Sequence, residues 1–303
     1  ITTDAARRLF AAAGADFDAL VERAAVPGFE AVALAGRVSA AVSNEIERSM
    51  SSNVVALLPG TAAGETVALT AHWDHFGTTT TGEGDRIYNG AVDHATGTAA
   101  LLELARVLAD EPRRRGILFI AVTAEESGLL GSAWFAANPT VPLETMAGLI
   151  NIDSMVVTGA TRDVEVVGFG SSEMERYLEA AASQQERVLV QEATPEKGFF
   201  FRSDHFNFAK QGVPVLYAES GVDHIELGRE YGEQMDATYI SEDYHQPSDE
   251  FSEDWDLSSV EADLNLYLAV IRALANSTDW PEWTDGSAFE RVRRESAPAR
   301  TRD

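Results

Sequence analysis

No cysteine occurs among the 303 residues, so thiolate nucleophiles, thiolate metal ligands and disulfides are excluded together. Lysine is nearly absent, at Lys197 and Lys210 only, and arginine carries the positive charge. Acidic residues outnumber basic ones by 49 to 23, for a formal net charge of −26. Nucleic-acid binding is not expected, because phosphate contacts need clustered cations. The acidity reads first as a solvated surface and second as a rim that attracts cations. No apolar run approaches the roughly eighteen residues of a membrane-spanning helix, and no signal peptide heads the chain. A Gly-x-Ser-x-Gly elbow is missing, which leaves a serine hydrolase without its nucleophile. Gly82 and Gly84 lack the Lys-Ser/Thr and strand–helix setting of a phosphate loop.

What is present has an α/β rhythm. Residues 4–13 and 15–25 are alanine-rich at helical spacing, broken at Gly14 and Pro27-Gly28. Alternation resumes over 38–48. Apolar runs at 52–58, 67–71, 117–122, 149–152, 164–167 and 213–217 read as strands. Helical spacing covers 95–108, 127–137, 172–185 and 257–275. The polar stretches 77–89 and 222–243 read as loops, the first lying over the site. Strands alternating with helices predict a largely parallel sheet covered on both faces. The division expected is a helical appendage over 1–45, a main domain over 46–276 and a peripheral tail over 277–303.

In such sheets ligands bind beyond the carboxyl ends of the strands. His72 and Asp74 sit at one strand end, Glu125 and Glu126 follow another, and Asp153 follows a third. Asp93 stands at a helix entrance, and His245 would come from a late loop. Imidazole with carboxylate is the ligand set expected for Zn2+, with Mn2+ or Co2+ as substitutes. Singly, each residue is more often a helix cap or a rim group. Delivered together to one rim, they point to a metal site.

Five words carry a resemblance: Ala71-His72-Trp73-Asp74-His75, Gly90-Ala91-Val92-Asp93, the Thr-Ala-Glu-Glu-Ser-Gly-Leu-Leu-Gly-Ser run from Thr123, Asn151-Ile152-Asp153, and Tyr244-His245-Gln246-Pro247-Ser248-Asp249. In this order, across residues 50–275, they resemble the M28 family of zinc aminopeptidases and carboxypeptidases. The resemblance implies a three-layer α/β/α sandwich on a mixed, largely parallel eight-stranded sheet. It also implies two Zn2+ ions bridged by Asp93, with His72 and Asp153 on one and Glu126 and His245 on the other. Glu125 would be the general base and Tyr244 the oxyanion stabiliser. Asp74 would orient His72, and Asp249 would stand behind His245. The peptide after Asp93 is expected to be cis.

His94 departs from the usual Asp or Asn and is expected at the rim, touching no ligand. His75 is expected near the site in a structural role, and His224 at the surface. Ser203-Asp204-His205-Phe206 looks like a further family word near the substrate pocket. Phe199, Phe200 and Phe201 would line an apolar pocket or join the core.

The implied activity is that of an aminopeptidase, using a metal-bridging hydroxide. Alternatives are a carboxypeptidase or amidase, with Arg202 the candidate for a terminal carboxylate, and a one-zinc glutaminyl cyclase-like transferase. A non-catalytic ectodomain ranks last. The partner expected is a peptide or small amide, and oligomeric state leaves no readable trace. The opening Ile1-Thr2-Thr3-Asp4 reads as a trimmed start, with residues 1–45 following a protease-associated domain in longer relatives and a periplasmic or secreted location.

Overall fold

The computed structural model describes residues 1–37, 39–80 and 84–300. The chain divides into two units, Ile1–Ser49 and Met50–Asp303. The first begins with helix α1 (Thr3–Ala12), whose N-cap Thr2 accepts from the Ala5 N–H. Helix α2 (Phe17–Ala24) is capped by Asp16 in the same way. Arg7 bonds Asp18 between the helices, and Phe10 meets Phe17 edge-on at 5.1 Å. The described residues of 38–48 form no strand, and Val38 lies outside them. Among the described residues of this unit only Ala6 is buried, so the alternation there has no second layer to bury against.

The second unit opens with strands β1 (Val54–Leu58) and β2 (Thr66–His72), then a short hairpin of β3 (Gly77–Thr78) and β4 (Ile87–Tyr88). Next come α3 (Thr96–Leu108), β5 (Gly116–Val122), α4 (Leu130–Ala137), β6 (Met146–Asn151) and β7 (Asp163–Val166). Helix α5 (Glu175–Gln184), β8 (Val188–Gln191), α6 (His205–Ala209) and β9 (Val215–Ser220) follow. Helices α7 (Arg229–Glu242), α8 (Ser258–Asn276) and α9 (Glu290–Glu295) complete the set.

The sheet order is β1-β5-β2-β6-β9-β7-β8. Strands β5, β2, β6 and β9 run parallel to one another, while β1 and β7 pair antiparallel with β5 and β9. The α/β sandwich is therefore as expected, but its main sheet has seven strands rather than eight. Gly77–Thr78 and Ile87–Tyr88 pair only with each other, because these short polar segments offer no apolar face to bury. Central strand β2 is buried at all seven positions, as a strand covered on both sides must be.

One apolar layer joins α3, α5 and α8 to the sheet through Leu101, Leu104, Leu178, Leu266 and Ile271. The opposite layer gathers Phe135 of α4, Phe208 of α6, Phe200 and Trp283. Residues 222–243 are not simply a loop, because 229–242 form α7. No residue of α7 is buried, which is why no apolar stripe announced it.

The tail corrects the expectation of a peripheral segment. Trp283 is 3% exposed and its indole N–H donates to the Gly212 carbonyl at 3.1 Å. Arg293 is fully enclosed and donates to the carbonyls of Met146, Ala147 and Pro281. Those bonds satisfy a buried guanidinium that would otherwise be strongly unfavourable. Trp283→Ala should destabilise the second unit by about 3–5 kcal/mol. Urea unfolding checks this, and a change below about 1 kcal/mol would mean that the tail is peripheral after all.

Candidate metal centre

Strand β2 ends at His72, whose Nε2 lies 3.2 Å from Asp93 Oδ1. The other carboxylate oxygen of Asp93 lies 3.2 Å from His245 Nε2, and the same nitrogen is 3.3 Å from Glu126 Oε2. One carboxylate thus reaches an imidazole on each side. Asp93 sits in the turn Ala91–Ala95 ahead of α3, and the Asp93–His94 peptide is cis. The turn can close only with glycine at 90: its φ is +59°, and a Cβ there would stand 2.4 Å from the Asp93 carbonyl oxygen.

Three neighbouring carboxylates follow the ends of β6 and β5. Asp153 leaves β6, and its Oδ2 accepts from Ser203 Oγ at 2.5 Å, while Ser203 in turn accepts from the Asn151 amide at 2.8 Å. Glu125 and Glu126 follow β5 on a turn in which Ala124 and Leu129 hold φ of +56° and +59°. His245 also has positive φ, at +61°. Such strain in side chains with Cβ persists where surrounding structure enforces it, and it gathers at functional sites.

Two expected roles change. The Asp74 carboxylate does not receive His72; it accepts from Thr123 Oγ1 and the Ala124 N–H, each at 2.8 Å. His72 Nδ1 faces the Asp74 backbone carbonyl instead, at 2.9 Å, so the imidazole is oriented by the main chain. Both Asp249 oxygens are taken by the N–H groups of Val92 and Asp93, at 2.8 and 3.0 Å. Asp249 therefore supports the bridging turn rather than His245. The reason is geometric in each case: a turn with free N–H groups lies nearer than the ring.

His94 is not on the rim. It is 3% exposed, its Nε2 is 2.8 Å from the Ile152 carbonyl and 3.7 Å from Asp153 Oδ1, and its ring lies 4.2 Å from that of His72. Its space comes from Gly97, where a Cβ would fall 1.8 Å from the ring. The motif Asp-His-Ala-Thr-Gly held that signal in its glycine. His75, read as structural, places Nδ1 2.8 Å from Glu126 Oε1 without hydrogen-bond alignment. His224 is buried too, accepting from the Glu226 and Leu227 N–H groups. Phe200 is core, whereas Phe201 is 59% exposed. Tyr244 stacks on His245 with ring centres 3.7 Å apart.

The electrostatics suit a site that binds a cation. Burial opposes charging His72, yet Asp93, Asp153 and Glu125 outweigh it and lift its pKa from 6.5 to about 10. Burial, reinforced by Asp153, pushes Glu125 from 4.5 to about 9. Asp93 is held well below the carboxylate range: burial works against this, and hydrogen bonds to His245 and His72 prevail. Burial and the His72 charge lower His94 to about 4. The surrounding carboxylates favour positive charge at His72, and Glu126 Oε1 is buried without a hydrogen-bond partner. Ligand atoms of His72, Glu125 and Glu126, of His75, Asp93 and Glu126, and of His72, His94 and Asp153 each lie within 4.8 Å of one another. Nitrogen and carboxylate donors so grouped suit zinc.

With that geometry in view, the comparisons with known proteins decide the family. The model of peptidase family M28 matches residues 53–269. The chain belongs to peptidase family M28. It is 33% identical over 145 residues to aminopeptidase NAALADL1 of Mus musculus, a match covering 45% of this chain and 18% of that protein. The zinc aminopeptidase BSAP of Bacillus subtilis is similar in fold, with a TM-score of 0.54 at 23% identity over 74% of this chain and 50% of that one. A glutaminyl cyclase of an Acidobacteriales bacterium shares the fold at a TM-score of 0.51 and 21% identity, over 74% and 73% of the two chains. The chain spans only 18% and 31% of the first two curated relatives it matches.

For His72 and Glu125 alike, the folded pKa lies above the unfolded one. Their stabilising contribution is complete below the unfolded values, 6.5 and 4.5, and is lost as pH rises through about 9 to 10. Zinc bound to His72 would displace the proton of that imidazole, so its affinity rises as the proton becomes easier to remove. The gain in thermal stability from buffered zinc should therefore widen between about pH 6 and pH 9. Melting curves with and without zinc measure it, and a constant or shrinking gain would contradict the assigned ligands.

Proposed function

We propose that this M28 chain is a dizinc aminopeptidase. The single observation behind the reading is the Asp93 carboxylate, with one oxygen on His72 and the other on His245. One ion would be held by His72, Asp93 and Asp153, the second by Asp93, Glu126 and His245. Bound zinc would supply Lewis acidity toward the scissile carbonyl and a water of lowered pKa.

The remaining chemistry belongs to the chain. Glu125 is the general base, the carboxylate that takes the proton of the attacking water and returns it to the leaving amine. Burial, with Asp93 next, raises the Tyr244 phenol above its ordinary value, so it stays a hydrogen-bond donor for a developing oxyanion. Asp74 fixes the backbone that carries Glu125, because it accepts the Ala124 N–H one residue earlier. Asp249 fixes the turn that carries Asp93. Ser203 orients Asp153 through its 2.5 Å hydrogen bond.

A peptide with a free amino terminus is the substrate in this reading, and a periplasmic or secreted location accompanies it. Among the described residues no helix is long and apolar enough to cross a membrane.

Glu125→Gln should keep both metals and lower turnover by about two to four orders of magnitude. Elemental analysis and aminoacyl-anilide hydrolysis together test this. Near-normal turnover would remove Glu125 as base. Two zincs with cleavage of amino-blocked substrates alone would point to a carboxypeptidase or amidase. One zinc with pyroglutamate formation would favour a cyclase.

A further inference from the structure

Beside the centre, the far edge of the sheet carries carboxylates where two would not be expected together. Glu165 of β7 and Glu219 of β9 are directly paired across antiparallel strands. Like charges in that position repel. Alternation along the strands puts them on one face, since Val164, Val166, Leu216 and Ala218 turn to the opposite layer under α5 and α8. Val190 of β8 pairs with Glu165, and Glu192, two residues on, continues that face.

None of the three glutamates makes an ion pair with a lysine or arginine among the described residues. The nearby Arg229 is taken by Asp163, and Lys197 acts on Asp236 of α7. A second observation concerns Glu192, which is 93% buried by its 7% exposure. Its Oε1 accepts from the Gly168 N–H, but its Oε2 is enclosed without a partner. Burial, with Asp236 and Glu192, lifts Glu165 to about 7, against a pull from the Ala193 N–H. Glu219 is raised by burial and by Glu165.

The patch adjoins the centre through register. Asn151, the last residue of β6, pairs with Tyr217 of β9; Asp153 follows two residues beyond the one, and Glu219 stands two residues beyond the other within β9. Parallel strands stand about 4.8 Å apart. The glutamates themselves are not among the groups whose ligand atoms converge within 4.8 Å, so the patch does not read as a third metal site. A cation carried on a chain suits it better.

We propose that Glu165, Glu192 and Glu219 form a subsite for the ammonium or guanidinium of a lysine or arginine at the amino terminus of the substrate. This rests on the aminopeptidase reading and adds a preference to it. The half-buried Glu165 and Glu219 meet the cation, and Glu192 supplies the enclosed charge behind them.

The test uses metal-loaded protein with lysyl- and norleucyl-anilides, which share an aliphatic chain and differ in charge. The lysyl substrate should have the higher kcat/KM by about tenfold or more. Glu219→Gln and, separately, Glu165→Gln should erase that ratio while sparing norleucyl turnover. A wild-type ratio near one, or a ratio unchanged in both variants, would overturn the subsite. Thermal shifts with free lysine against norleucine give a readout independent of turnover. A lysine-selective shift lost in Glu219→Gln, without hydrolysis of any aminoacyl substrate, would keep the subsite and overturn the aminopeptidase reading. Neither shift nor hydrolysis would overturn both.

Discussion

Asp93 presents one carboxylate oxygen to His72 and the other to His245, at 3.2 Å each and with 3% exposure, and the backbone around it is arranged to permit this. A buried anion with two partners has no freedom to swing. The turn that carries it is held from below by Asp249, whose two oxygens take consecutive N–H groups. It is held in front by Gly90, whose missing Cβ lets the Asp93 carbonyl approach. Behind it, Gly97 leaves room for His94, which reaches across to the Ile152 carbonyl. The position of one carboxylate thus depends on two glycines and a second carboxylate from a segment more than 150 residues away.

The sheet supplies what that turn cannot. Parallel β2, β5 and β6 end at His72, Val122 and Asn151, so their following residues emerge on one rim. The opposite end of this arrangement is tied by arginine. Arg115, at the start of β5, is fully enclosed and bonds Glu65, the Leu274 carbonyl and the Asp279 carbonyl, with its guanidinium 4.7 Å from the Trp280 ring. A planar donor with five N–H groups suits such a junction, where lysine would leave acceptors unmet. The rarity of lysine in this chain is consistent with arginines placed for geometry, although most arginines here are surface groups.

The donor residues were legible because strand ends and helix starts are marked in sequence by where apolar runs stop. His72, Asp93, Glu125, Glu126, Asp153 and His245 all follow or precede such breaks, and the structure brings them together. Their supporting contacts were not legible. Whether Asp74 turns to an imidazole or to the Ala124 N–H depends on a few ångströms of tertiary placement that no spacing encodes. Strand β8 is four residues with no buried position, and α7 has no buried face, so hydrophobic periodicity had nothing to report. The tail misled for the opposite reason. Its charged composition reads as solvated, yet Arg293 is buried because backbone carbonyls satisfy it.

Acidity has two physical meanings in this molecule, and distance separates them. At the centre, carboxylate and imidazole atoms from different strands converge within 4.8 Å, a spacing a small dication can span. On the β7–β9 face, Glu165 and Glu219 are neighbours because a sheet makes them so, and neither belongs to a group of ligand atoms that converges within 4.8 Å. Convergent carboxylates suit a bare ion; carboxylates paired on a strand face suit a cation carried on its own stem. Burial and neighbouring carboxylates make charge on this pair costly, and an arriving cation would offset that cost. A composition of −26 is compatible with a merely solvated surface. Paired glutamates with a partnerless, enclosed oxygen beside them are not surface groups in that sense.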